Sequence, residues 1–125
     1  MLRLIQKKWE RMYKIPQILK NIEKLQFAIG SQRAALIKQG GEREFCVFSQ
    51  AGEDGVIQWL IQNIPIRSKR FIEFGVENYL ESNTRFLLMH DDWSGFIMDD
   101  SEANMEYVRR DEICWRHDLH MATAF

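Results

Sequence analysis

The chain has 125 residues, 46% of them apolar or aromatic, and a formal charge of −1 at neutral pH. That length suits one small domain, and the apolar share excludes a disordered chain. Residues 1–43 carry ten Lys/Arg against three Asp/Glu and the remainder seven against fifteen, so a basic extension precedes an acidic domain.

The N-terminal segment predicts helix. Leu2, Ile5, Trp9 and Met12 recur at helical spacing between Met1 and Tyr13, with Lys7, Lys8 and Arg11 among them. Pro16 is expected to interrupt or kink this helix. From Ile15 the apolar positions fall at 15, 18, 22, 25, 29 and 36, in steps of three and four, with Gln32 in the missing place. Such a stripe suits a coiled coil or a single amphipathic helix packed on its own domain, and both readings stand. A basic face with Trp9 and Phe27 also suits contact with an anionic membrane surface, a weaker third reading. Gly40-Gly41 predicts the helix end and a hinge.

From residue 44 the pattern alternates helix and strand. FSQAGEDGVIQWLIQNIP predicts a turn, then a helix from about Glu53 that buries Val56, Ile57, Leu60, Ile61 and Ile64 and closes at Pro65. FIEFGV predicts a short buried strand, SNTRFLLMHDD a helix, SGFIMDD a second strand, SEANMEYVRRDEI a helix opened by Ser101, and HDLHMATAF a third strand. That order argues for a parallel sheet with helices on its faces, here an α/β, Rossmann-like arrangement of about three strands behind a helical extension. The longest uncharged stretch, VIQWLIQNIPI, is broken by Gln, Asn and Pro, which argues against a membrane span. The start lacks the apolar centre of a secretory signal, and Cys46 and Cys114 lack metal-ligand spacing, so free thiols and a cytoplasmic location are expected. His117 and His120 fall on opposite faces of the third predicted strand, which argues against a shared metal. No basic stripe interleaves with the aromatic residues, which argues against nucleic acid.

In an open parallel sheet the ligand sits beyond the carboxyl ends of the strands. The loop after FIEFGV is in that place, yet it reads VENYLES and offers only Gly75 where a dinucleotide fingerprint needs G-x-G-x-x-G. Glu73, Glu77 and Glu81 would also repel a phosphate, by about 1–4 kcal/mol for a close pair of like charges. A cationic adenosyl donor without phosphate, S-adenosylmethionine, suits an acidic loop with one glycine. Asp99 ends SGFIMDD twenty-four positions after Gly75, near the offset at which such folds place an acid on ribose hydroxyls. Each residue also has a plainer use: Asp99 as a helix cap, Glu73 as a partner of Arg70, Gly75 as a tight turn, Asp54 as a dipole partner of a helix start.

FSQAGEDGVI, FIEFGVENYLESNTRFLL and WSGFIMDDSEANM together resemble the FkbM-type S-adenosylmethionine-dependent methyltransferases, in particular members found with surface-polysaccharide biosynthesis enzymes. The resemblance covers about residues 45 to 125. It implies that Glu73 and Gly75 contact the amino-acid part of the cofactor and Asp99 the ribose, with Glu77, Asn78 and Ser101 beside them. It also brings in an entry block of Ser49, Gln50, Gly52, Glu53, Asp54 and Gly55 whose chemical role the residues do not give. Tyr79 stands where many methyltransferases have glycine, which would narrow the cofactor loop. Asp100 stands where this family usually has glycine, which adds a charge beside the ribose.

The resemblance implies O-methylation, with a sugar hydroxyl as acceptor and no named catalytic base. It further implies a seven-stranded sheet of which this chain holds only the cofactor-binding half, so that activity of the chain alone is in question. Two rivals stay open. One is a non-catalytic module in which residues 1–43 form a homodimer or dock to a glycosyltransferase beside a vestigial nucleotide-binding half. The other is half of a dehydrogenase.

Overall fold

The computed structural model describes residues 1–124. Its elements are α1 (Leu2–Ile37), α2 (Glu53–Asn63), β1 (Arg70–Phe74), α3 (Arg85–Asp91), β2 (Ser94–Asp99), α4 (Glu102–Arg110), α5 (Ile113–Arg116) and β3 (Leu119–Thr123). The strands form one parallel sheet in the order β1-β2-β3, with Glu73 beside Ile97 and Asp99 beside Thr123. The fold is α/β: a small open three-stranded parallel sheet preceded by a long helix.

Each crossover returns through helices on the same side of the sheet. Ile97 and Leu119 of the strands, with Phe71 and Met121, pack against Leu88 of α3, Met105 and Val108 of α4 and Ile113 of α5. Gly95 is required near the start of β2 because a Cβ there would run into the ring of Phe71 on the neighbouring strand. A second cluster lies beyond α3. There Phe86 meets Phe45, Phe48, Ala34 and Ile37, with Phe27 of α1 tilted against Phe86 at 5.8 Å. α1 therefore sits on the far side of the helical layer from the sheet.

α1 departs from expectation in two ways. It runs unbroken through Pro16 instead of being interrupted there. The hydrogen bond that Pro16 cannot make would have gone to the Met12 carbonyl, at a residue 58% exposed and so open to solvent. The apolar stripe at 15, 18, 22, 25, 29 and 36 is exposed throughout, and the helix packs instead through Phe27, Gly30, Ala34 and Ile37. Gly30 is the point of closest approach, since a Cβ would collide with Val47 and press on Phe86. The helix ends as its glycines predict. Gly40 takes φ +84°, its N–H donates to the Ile37 carbonyl at 3.0 Å, and the Gly41 N–H closes on the Leu36 carbonyl at 3.0 Å.

α2 also turns differently from its pattern. Val56, Leu60 and Ile64 are exposed, whereas Asp54, Gly55 and Gln58 are buried. The reason is polar: Asp54 and Gln58 are tied inward by hydrogen bonds, and those ties set the rotation of the helix. Near the C-terminus the predicted third strand begins only at Leu119, so His117 lies before it, while Cys114 and Trp115 form the short α5. Asp111 ends α4 by leaving helical conformation at ψ 144°. No helix among the described residues is long and apolar enough to cross a membrane.

Candidate functional site

β1 and β2 end side by side, and the chain leaving β1 turns across the tip of β2. Gly75 adopts φ +64°, and a Cβ placed on it would meet nothing within 4 Å, so its outer side is open. Its N–H donates to the Met98 carbonyl at 2.8 Å, extending the ladder by one bond. Two residues on, the Glu77 N–H donates to Asp99 Oδ2 at 2.8 Å. Gly75, Glu77 and Asp99 thus lie side by side at the carboxyl end of the sheet, with Asp99 itself only 5% exposed.

Asp99 is the hub of this corner. Its Oδ1 accepts from the Ser101 N–H at 3.0 Å and from the Asn104 side chain at 3.3 Å. The Ser101 amide above all, with the Glu77 amide and Asn104, holds its carboxyl below the usual aspartate range, so it is charged at neutral pH. Three of about four lone-pair positions on a carboxylate are taken, leaving Oδ2 room for one more donor. The sequence pattern suggested an acid that grips both hydroxyls of a ribose, and the geometry leaves capacity for one. Ser101 caps α4, its Oγ accepting from the Asn104 N–H at 3.2 Å, and the same residue orients Asp99. Asp100 and the Glu77 side chain are exposed at the rim.

Glu73 points elsewhere. Its carboxylate accepts from the Ser82 hydroxyl at 2.7 Å, from the Asn83 and Thr84 N–H groups at 3.0 and 3.1 Å, and from the Thr84 hydroxyl. Neither Arg70 nor this corner engages it: Glu73 fastens the far end of its own loop just before α3. Asn78 is likewise used locally, its side-chain oxygen accepting from the Leu80 N–H at 3.2 Å. Tyr79, expected to narrow the loop, instead sends its ring into the core. It is fully buried, its hydroxyl pairs with Thr84 Oγ1 at 3.1 Å, and burial pushes its ionisation far up. Its backbone nevertheless takes φ +61°, a cost of about 1–2 kcal/mol for a side-chain-bearing residue, offset by that burial.

The SQAGEDG block supports this loop from behind. Asp54 Oδ2 accepts from the N–H groups of Val47, Phe48 and Ser49 at 2.7, 2.8 and 3.0 Å, and Ser49 Oγ accepts from the Asp54 N–H at 3.0 Å. Glu53 accepts from the Ala51 N–H. Gly52 takes φ +97°, and Gly55 leaves no room for a Cβ against the backbone of residues 43–45. The folded segment then reaches the loop twice, through the Gln50 side chain to Glu81 and through the Phe48 carbonyl, which accepts from the Ser82 N–H at 3.0 Å. Ser49, Gln50 and Asp54 are architectural residues of the loop's foundation and do not reach the Asp99 corner.

Arg85 is the residue the sequence reading missed. It is 4% exposed, donates to the Tyr79 carbonyl at 3.0 Å, lies 3.5 Å from Glu23 of α1, and stacks over Phe48 and Tyr79. It joins α1, the entry block and the loop. A charged residue inside an otherwise apolar helical run was its only signal. Among the described residues no group of three or more His, Cys, Asp or Glu is arranged to hold a metal ion, and His120 pairs with Asp118 at 3.0 Å. Comparison of the chain with family models, curated proteins and solved structures found no match.

Proposed function

We propose that residues 44–125 bind S-adenosylmethionine in a Rossmann-like, methyltransferase-type site, and that the chain serves methyl transfer to a hydroxyl of a sugar acceptor in surface-polysaccharide biosynthesis. One observation supports the cofactor reading: the Glu77 amide closes on Asp99 Oδ2, which brings an open glycine and an ionised acid together at the tip of the sheet. The donor set fits an adenosyl group in part. Asp99 Oδ2 takes one ribose hydroxyl, Gly75 admits the ligand close to backbone, and the exposed carboxylates of Glu77 and Asp100 favour positive over negative ligands. Glu73 does not fit as a direct ligand, since four internal donors already occupy it, and its role is to hold the loop.

When bound, the cofactor supplies a methyl group on positively charged sulfur. The chain's own contribution to transfer is positioning: a fixed loop, a fixed ribose anchor and an acidic rim, which together align the reacting atoms. Calorimetric titration with S-adenosylmethionine, its demethylated product and NAD tests the reading. Binding of the first two in preference to NAD is expected, and heat from neither, or tighter binding of NAD, overturns it. The long exposed α1 favours a second role in assembly, whatever the Asp99 corner binds.

A further inference from the structure

The exposed stripe of α1 has the register of a heptad seam. With Ile15 at position a of an abcdefg repeat, Ile22, Ile29 and Leu36 also fall at a, and Ile18, Leu25 and Gln32 fall at d. The six apolar members are 46–64% exposed. Upstream the repeat stops, because Lys8 and Arg11 take the a and d places. The chain's own domain does not compete for the seam. Phe27, Gly30, Ala34 and Ile37, which pack on the domain, fall at b and f on the outer side of the same helix. Glu23 at b and Lys20 at f reach the domain too, pairing with Arg85 at 3.5 Å and Glu112 at 3.7 Å. At 3.6 residues per turn the packed stripe lies roughly 130° around the helix from the seam.

We propose that α1 pairs with α1 of a second copy in a parallel, two-stranded coiled coil over residues 15–36. Isoleucine at a with leucine at the central d position favours two strands. Gln32 sets the direction. In a parallel pair it meets its own counterpart, amide to amide, whereas an antiparallel pair of the same span sets it against Ile18 or Leu19 with no polar partner. The flanks raise no conflict: g of one chain lies by e of the other, here Lys14 by Leu19, Asn21 by Gln26 and Ala28 by Arg33, none of them like-charged. With only Lys14 and Arg33 charged beside it, the seam is poorly suited to an anionic membrane. The area is sufficient. The six seam side chains and Leu19 offer roughly 100 Å² each, so a pair buries about 1,400 Å², within the about 1,200–2,000 Å² of stable interfaces. Each domain hangs on the outer side of its own helix, so the two stand apart across the coil. The inference does not depend on the cofactor reading.

The test is sedimentation equilibrium of the full chain, with circular dichroism to verify that each variant is folded. Twice the 14.9 kDa chain mass is expected. Leu25→Glu puts a charge at the central d position, 64% exposed in the single chain, and is expected to give a folded monomer. Trp9→Asp, outside the seam, is expected to keep the dimer. Direction is read in a Cys46→Ser background, which removes the exposed thiol: Gln32→Cys should form a covalent dimer under mild oxidation, and the background chain should not. The basic leading segments of a parallel pair lie side by side, so added salt should tighten the dimer. A parent that is monomeric at all concentrations overturns the proposal, and phosphatidylserine vesicles sedimenting with that monomer would give the stripe to a membrane instead. A dimer that survives Leu25→Glu, or is lost with Trp9→Asp, overturns the seam. A Gln32→Cys chain that cross-links no faster than its background, or a dimer that weakens with salt, overturns the parallel register.

Discussion

The backbone of Glu77 and the side chain of Asp99 are one unit: the amide donates to Oδ2 over 2.8 Å, so the acid at the tip of β2 holds the loop leaving β1. Asp99→Asn puts an NH2 group among donors from Glu77, Ser101 and Asn104, and at least one is left facing another donor. A stability loss of about 1–3 kcal/mol is expected, read by urea unfolding. A neutral substitution would mean that the loop is held otherwise.

The same carboxylate gives a pH signature. Its folded-state pKa is depressed, mainly by the Ser101 amide, so its contribution to stability is complete above the unfolded value near 3.9 and is lost as pH falls through the lower folded value. Denaturant midpoints of the parent should therefore drop as pH falls below about 4. The drop should be shallower in Asp99→Asn, and identical slopes would remove the assignment.

The side chain of Glu77, unlike its amide, is free at the rim. Glu77→Gln keeps the loop and removes one negative charge. S-adenosylmethionine, with its positive sulfur, should lose about threefold to tenfold in affinity, an effect near the low end of close charge pairs. Its product, neutral at sulfur, should lose less. Equal losses in calorimetry would show that the acidic rim does not select for charge.

Asp54 is the foundation of the entry block. Asp54→Ala leaves the Val47, Phe48 and Ser49 amides without their shared acceptor, in a region where Phe48 and Ser49 are buried. A cost of about 3 kcal/mol or more is expected, together with faster amide exchange across residues 81–84, which rest on that segment. Exchange unchanged at Ser82 would separate the two regions.

Gly40 and Gly55 should respond to alanine for different reasons. Gly40 has open space around it but a positive φ, so Gly40→Ala should cost about 1 kcal/mol. At Gly55 a Cβ would come within 2.5 Å of the Phe45 nitrogen and closer still to the Arg43 carbonyl. The backbone of residues 43–45 should raise that cost to about 3 kcal/mol or more, visible as the larger fall in melting temperature.

The three strands and their parallel arrangement were legible because FIEF and GFIM are short apolar runs punctuated by turn residues, and because helices separate them. Adjacency of Gly75 and Asp99 followed from the same order. What spacing did not convey is direction. Periodicity gave α2 an apolar face, but the buried face was chosen by Asp54 and Gln58, whose partners lie in the irregular segment at 47–49 and at the end of α3, out of reach of any local spacing. The role of Glu73 was hidden for a similar reason, its donors arriving nine to eleven residues later in the Ser82-Asn83-Thr84 turn. The stripe on α1 was seen correctly as a stripe, while the face that packs is marked by small residues, Gly30 and Ala34, which pattern reading passes over.

α1 is continuous through Pro16, yet the rods on either side of that residue have unequal footing. Beyond it the helix leans on the domain; before it, residues 2–15 form a span whose length is marginal for an unsupported helix in water. Heating a solitary molecule should then fray the leading rod first, with part of the far-ultraviolet signal fading while the aromatic near-ultraviolet spectrum persists. One coincident melt would mean that something grips the rod along its length.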